Sequence, residues 1–282
     1  MRAADPGVRR LAVLGSPIEH SRSPDLHRAA YGVLDLPWDY GRREVPSGAL
    51  AVFFGGLDAS WRGLSLTMPL KREVLPMLAA RSELVEISGS ANTVLLGPDG
   101  PQGFNTDVTG IVGALGDHGV SDVDTVHVIG TGNTAASAFL AASRLGASRV
   151  LISGRSLDGI AALERLGDRL GVHTEWRLYG SHVPVRSDLV INTLPGDVDP
   201  EDVPDADLGE VLMEVPYDPW PTPRAARWVE RDGTVVSGLE MLLHQAIAQV
   251  RIFTTGEEGG ELDHEDAVIE AMRESVGLKL ED

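Results

Sequence analysis

The chain has 282 residues, 43 % of them hydrophobic and 23 % charged, a composition that fits one large or two medium soluble globular domains. A formal net charge of −18 argues against sequence-independent binding to nucleic acid or to an anionic membrane, so an anionic ligand has to be held by a local positive field. With no cysteine, disulfides, thiolate nucleophiles and cysteine metal sites are excluded.

The stretch MRAADPGVRRLAVLG lacks the apolar core of a signal peptide, and no apolar run approaches the ~20 residues of a membrane span, so a cytoplasmic setting is expected. Leu11–Gly15 is a short apolar strand ending in glycine. Ser23 before Pro24 predicts a helix start with a hydroxyl cap, followed by an apolar stripe of Ala29, Ala30, Val33 and Leu34. Ser21 and Ser23 thus stand in a strand-to-helix loop beside a helix N-terminus, which reads either as a modest anion site or as a plain capping loop. Trp38–Val45 predicts a second strand, Ser47–Leu57 a helix, Trp61–Thr67 a third strand and Arg72–Ala80 a further helix.

Of the 24 basic residues only Lys71 and Lys279 are lysine. An ammonium can lose its proton when its surroundings shift its pKa, whereas arginine stays protonated. Lys71 ends the stretch GLSLTMPLK, past the C-terminal end of a β-prone apolar run, where open α/β sheets place their ligands. It is either a proton-transfer lysine or an ordinary surface lysine opening a helix. Val94–Leu96 and Gln102–Phe104 flank a Gly-Pro-Asp-Gly-Pro turn and predict a β-hairpin. Asn92 stands just before it. Asn105, Thr106 and Asp107 stand just after it, where the next helix begins and where an aspartate also serves as an ordinary N-cap.

Residues 125–129 form an apolar strand running into GTGNTAASAFLAASRLG, with another strand at Ser148–Ser153. This is the context of a G-x-G-x-x-A dinucleotide turn. Gly130 permits the tight turn, Gly132 lets a pyrophosphate approach the backbone, Ala135 allows close helix packing, and the helix N-terminus faces the phosphates. Gly154-Arg155-Ser156 follows the second strand, where an NAD site usually carries Asp or Glu. A helix over Leu157–Leu170 and strands over Thr174–Leu178, Asp188–Asn192 and Val211–Val215 come next. Thr193-Leu194-Pro195-Gly196 is a loop on the cofactor side, and 197–210 is an acidic, proline-bearing exposed connection. Tyr217 lies just past the last of those strands. Thr222–Arg231 is helical and Thr234–Val236 a final short strand. Gly238–Phe253 is a long helix with Leu239, Leu242, Leu243, Ala246, Ile247 and Val250 on its buried face. Met241 and Gln245, four apart, share another face, where Gln245 is either functional or solvent-facing. A last helix covers His264–Val276. The eight histidines form no metal-ligand spacing, so no metal is expected.

The ordered set GSPIEHSRSPDLH, LTMPLK, SANTV, GFNTD, GTGNTA, INTLPG and GLEMLLHQA resembles the motifs of shikimate dehydrogenases over nearly the whole chain. The resemblance implies an α/β fold of two domains. Residues 1–107 and 237–282 would form an α/β substrate domain completed by the C-terminal helices, and 108–236 a Rossmann-like dinucleotide-binding domain. It implies reversible, NADP-dependent hydride transfer between 3-dehydroshikimate and shikimate, on the route to chorismate and the aromatic amino acids, in a monomer or homodimer. Lys71 and Asp107 would be the catalytic pair. Ser21 and Ser23, helped by Tyr217, would hold the substrate carboxylate, and Thr67, Asn92, Asp107 and Gln245 would read its hydroxyls. Gly130, Gly132, Asn133, Thr134, Ala135, Arg155, Ser156, Thr193, Gly238 and Met241 would serve the cofactor. Quinate or an amino analogue is the alternative substrate. A non-catalytic nucleotide-sensing regulator is the alternative from another class, and it would be expected to lose Lys71 or Asp107.

The chain departs from the family's pattern at Ser65, where asparagine is usual, at Asn133 and Thr134, where glycine or alanine is, and at Glu214, where aspartate is common. Gly154-Arg155-Ser156 stands for the usual Asn-Arg-Thr. These departures bear on cofactor choice and on the exact ring acid. NADP is expected over NAD, because Arg155 can fork onto a 2′-phosphate, with Asp158 as the competing ribose reader. The chemistry is consistent with this residue set. A ketone reduced by hydride leaves an alkoxide, and a lysine beside it stabilises the charge and delivers the proton.

Overall fold

The structure, a computed structural model, describes residues 8–179, 186–196, 198 and 211–278. The acidic connection expected over 197–210 lies outside the described residues apart from Val198, as does Lys279. The chain divides into two compact units, Met1–Thr106 with Gln245–Asp282, and Asp107–His244. Among the described residues no helix is long and apolar enough to cross a membrane.

In the first unit β1 (Arg9–Gly15) leads to α1 (Ser23–Val33), β2 (Trp38–Glu44), α2 (Leu50–Gly55) and β3 (Trp61–Leu66). β1 pairs in parallel with both β2 and β3, and its Leu11, Ala12, Val13 and Leu14 are buried. Such a continuous apolar run is what a strand covered on both faces requires. The helix predicted over Arg72–Ala80 does not form. α3 spans only Leu70–Glu73, a 3₁₀ turn follows at Leu75–Met77, and Ala80–Arg81 becomes a short strand, β4. Pro76 has no N–H to donate and its ring obstructs a continuing α-helix. A short helix not anticipated, α4 (Glu83–Ser88), comes next. β5 (Thr93–Gly97) and β6 (Gly100–Phe104) form the expected hairpin, completing a sheet of order β2-β1-β3-β5-β6-β4.

The second unit holds α5 (Asp107–Asp117), β7 (Thr125–Ile129), α6 (Asn133–Arg144), β8 (Arg149–Gly154), α7 (Leu157–Leu170), β9 (His173–Leu178), β10 (Leu189–Asn192), β11 (Val211–Glu214), α8 (Pro223–Val229) and β12 (Thr234–Ser237). Its strands are all parallel, in the order β12-β11-β10-β7-β8-β9. This is the doubly wound arrangement, with its reversal point between β7 and β10. α9 (Gly238–Thr255) begins in this unit and ends in the first, which α10 (Glu265–Val276) completes by packing on α1.

Each unit buries a neutral histidine. Burial lowers the pKa of His27 from 6.5 to about 3, against a hydrogen bond to Gln249 Oε1 that raises it. It does the same for His127, helped by the charges of Arg224 and Arg177. In the unfolded chain both rings take up a proton below about pH 6.5, whereas in the folded protein they do so only near 3. Stability is therefore fully present above the unfolded value and falls as pH drops through that window, each ring contributing a slope of about 1.4 kcal/mol per pH unit. The urea midpoint is expected to fall steadily on acidification from about pH 6.5 to 5, and a flat profile would contradict this.

Candidate active site

β1 and β3 run in parallel with Leu14 opposite Leu66, so both chains leave the sheet at one edge. There Thr67 donates its N–H to Leu14 O (2.9 Å) and Ser16 to Met68 O (3.0 Å). β5 runs antiparallel to β3 with Thr93 opposite Ser65, which brings Asn92 to the same edge. Leu66 donates its N–H to Asn92 O at 2.7 Å. Lys71 is the second residue of α3, its side chain largely buried at 8 % exposure. Its carbonyl accepts from Ala91 N at 2.8 Å, tying it beside Asn92.

Ser21 and Ser23 occupy the loop after β1. Ser23 is the first helical residue rather than the cap; Arg22 takes the cap position and no side chain caps α1. The two hydroxyls pair instead, Ser21 Oγ donating to Ser23 Oγ at 3.2 Å. Arg42 on β2 donates its Nε to Ser21 O at 2.7 Å, placing a guanidinium beside the pair that the sequence did not single out. Ser21, Ser23, Thr67, Lys71 and Asn92 thus collect at the carboxyl edge of β1 and β3, where open α/β sheets bind ligands.

The Asn92 amide is held from several sides. Its Oδ1 accepts from Thr106 N (2.8 Å) and Thr93 Oγ1 (2.8 Å). Its Nδ2 donates to Thr106 Oγ1 (2.9 Å) and to Gln245 Oε1 (3.3 Å). Gln245 is therefore buried against Asn92 rather than solvent-facing. In the second unit Asp107 is the first residue of α5 and 4 % exposed, and Tyr217 is half-buried just past β11.

At the reversal point of the parallel sheet, Thr193 donates both its N–H (2.9 Å) and its Oγ1 (2.8 Å) to Ile129 O. Gly130 has φ +113, and a Cβ there would lie 2.2 Å from Thr193 Oγ1, so only glycine satisfies both backbone and space. Gly132 precedes α6, with no protein atom within 4 Å of where its Cβ would project. Asn133 and Thr134 open α6 half-buried, and Ala135 is wholly buried. No side chain caps this helix. An open turn leading into unpaired helix amides fits a pyrophosphate.

Past β8, Arg155 and Ser156 are exposed. Ser156 caps α7 by accepting from Gly159 N at 3.2 Å, an arrangement that uses an oxygen lone pair and not the hydroxyl proton. The charge of Arg155 reaches Tyr179, where it works against the rise in phenol pKa caused by burial. Asn192 accepts from Leu194 N (3.2 Å) and donates to Glu214 Oε1 (2.9 Å), which fixes the Thr193 loop. Gly238 starts α9 against β11, where a Cβ would collide with Val215 O, and Met241 is buried one turn on. Among the described residues no group of His, Asp or Glu is placed to hold a metal ion.

A sequence model of the shikimate dehydrogenase substrate binding domain matches residues 13–94. The shikimate dehydrogenase (NADP(+)) of Ignicoccus hospitalis is 30 % identical over 248 residues, covering 86 % of this chain and 92 % of its own. The chain belongs to the shikimate dehydrogenase family. Shikimate dehydrogenase of Mycobacterium tuberculosis, solved by crystallography, is 37 % identical with a TM-score of 0.84, over 94 % of this chain and 99 % of that one. A Thermus thermophilus shikimate 5-dehydrogenase solved with NADP(H) and shikimate is 27 % identical with a TM-score of 0.79, over 95 % and 100 % of the two chains. The two-part α/β fold with a Rossmann-like unit is that of shikimate dehydrogenases.

Two departures from the shikimate dehydrogenase pattern have local physical reasons. A Cβ at position 154 would lie 2.4 Å from Thr131 Cγ2, so Thr131 imposes glycine where the family has asparagine. Ser65 is buried between Tyr40 and Gln249, donating to Gln249 Oε1 at 2.8 Å. Gln249 escaped the sequence reading, although its place one helical turn beyond Gln245 was a readable signal.

Proposed function

We propose that this chain is an NADP-dependent shikimate dehydrogenase, interconverting 3-dehydroshikimate and shikimate on the route to chorismate and the aromatic amino acids. The observation that carries the reading is its likeness, across 95 % of its length, to an enzyme solved with NADP(H) and shikimate. Residues 1–107 and 237–282 are taken as the substrate domain and 108–236 as the nucleotide domain. When bound, NADP supplies or accepts the hydride. Gly130, Gly132, Asn133, Thr134 and Ala135 hold its pyrophosphate, Arg155 and Ser156 its 2′-phosphate, and Thr193, Gly238 and Met241 line its path. The Lys71 ammonium stabilises the alkoxide oxygen, gives it a proton and recovers one from water. Asp107 is taken as the second member of the catalytic pair. Ser21 and Ser23, with Tyr217, hold the ring carboxylate. Thr67, Asn92, Asp107 and Gln245 read the hydroxyls. A cytoplasmic monomer or homodimer belongs to the same reading, its assembly checked by sedimentation.

The test is purified protein with NADP and, in turn, shikimate, quinate and an amino analogue, followed in the near-ultraviolet nicotinamide band. Fastest turnover with shikimate is expected, and no reduction of NADP with any ring acid would overturn the reading. Replacing Ser21 and Ser23 together with alanine is expected to raise the KM for shikimate about tenfold or more while kcat changes less, because the carboxylate is remote from the reacting carbon. A change in the KM for NADP instead would move these serines out of the acid site.

A further inference from the structure

Beneath Asn92 and Gln245 lies a run of buried polar groups within the first unit, and its donors all point one way. Tyr40 OH donates to Ser65 Oγ (2.7 Å), and Ser65 Oγ donates to Gln249 Oε1 (2.8 Å). Gln249 Nε2 donates to Thr93 Oγ1 (2.9 Å), and Thr93 Oγ1 donates to Asn92 Oδ1 (2.8 Å). Asn92 Nδ2 then donates to Gln245 Oε1 (3.3 Å). A hydroxyl has one proton to give, so each link sets the direction of the next.

The orientation of Gln249 is anchored at both ends. Its Nε2 also faces Asn92 O at 3.4 Å, a backbone carbonyl that only accepts. Its Oε1 faces His27 Nε2 at 3.1 Å. Burial keeps that imidazole neutral, and the tautomer protonated on Nε2 is the one that donates to Gln249 Oε1 and leaves Nδ1 to accept from Tyr31 OH at 3.1 Å. His27 is itself clamped, stacked on Tyr40 with centroids 4.0 Å apart. Reversing the Gln249 amide would set carbonyl against carbonyl at Asn92 and strand the protons of Ser65 and His27, an unmade buried bond being the costly case.

We propose that Gln249 is a positioning residue for ring-hydroxyl recognition, acting through Thr93 to hold the amide of Asn92, and with it Gln245, in a single orientation. Gln249 sits one turn along α9 from Gln245 and reaches the same Asn92 from behind. The inference rests on the proposed substrate role of Asn92 and Gln245. It also accounts for Ser65, whose small hydroxyl bridges Tyr40 to Gln249.

The test uses the full chain and the KM for shikimate, the KM for NADP and kcat. Gln249→Met and Thr93→Val each remove the link, and each is expected to raise the shikimate KM about fivefold, leaving the NADP KM unchanged. Thr93→Ser, which keeps the hydroxyl, is expected to restore a near-native shikimate KM. In a Gln245→Ala background, Gln249→Met is expected to add little further, as coupled sites do. A general loosening of the fold would move both Michaelis constants and would not be rescued by serine, and that outcome overturns the inference. If Gln245→Ala raises the shikimate KM while folded Gln249→Met and Thr93→Val leave it unchanged, the positioning role alone fails. If Gln245→Ala leaves it unchanged, the substrate reading fails and takes the inference with it.

Discussion

Lys71→Ala is expected to lose about 10²–10⁴-fold in kcat while still binding shikimate, the usual cost of removing a positioned proton donor. The side chain is buried in a four-residue helix just past the carboxyl edge of β3. Its backbone is tied to the strand end through Ala91, so the ammonium stem starts from a fixed point. Lys71→Arg keeps a positive charge but is expected to be nearly as slow, since a guanidinium does not readily release a proton. The measurements are kcat from steady-state rates and shikimate affinity by calorimetry. Near-native turnover in Lys71→Ala would end the proton-donor role. Turnover lost together with binding would make the lysine a substrate anchor instead.

Arg155→Ala is expected to reduce the ratio of kcat/KM for NADP over NAD by about 10-fold to 100-fold, the scale of one or two charge-assisted hydrogen bonds. The residue is exposed in the turn past β8, and that turn is packed on Thr131 at Gly154 and Gly159. Ser156 adds a hydroxyl whose acceptor side is engaged by Gly159 N. The loss should fall mainly on the KM for NADP. A wild-type preference for NAD, or an unchanged ratio in the variant, would refute the assignment and point to Asp158 as the ribose reader.

Much of the fold was legible because its signals are local. An apolar run, a glycine forced to φ +113 and a small alanine mark β7, its turn and α6 wherever they occur in a chain. The places of Lys71, Asn92 and Asp107 beside element ends were readable for the same reason. What failed locally was competition between signals. Pro76 stops a helix that the surrounding residues favour, and the Ser23 hydroxyl turns to Ser21 instead of capping. What could not be read at all depends on strand order. Ser65 looks like a lost asparagine in sequence. Only the pairing of β3 with β5, and the approach of α9, gives its hydroxyl a place between Tyr40 and Gln249. His27 and Gln249 are 222 residues apart, and no spacing rule connects them.

The division of the chain has a consequence for biogenesis. The second unit is one uninterrupted run, Asp107–His244, whereas the first is built from two stretches separated by it. On the ribosome the uninterrupted unit is wholly synthesised before the remainder of α9 and α10 emerge, so domain-wise folding lets it form first while the other waits for the end of the chain. The two ends left by removing it, Thr106 and Gln245, both bond the same side chain, Asn92. They are close enough for a linker of a few residues to rejoin them, at the cost of cutting α9 between His244 and Gln245. On the proposed reading the uninterrupted run carries the nucleotide residues together with Asp107 and Tyr217, and the rejoined remainder would keep Ser21, Ser23, Thr67, Asn92 and Gln245.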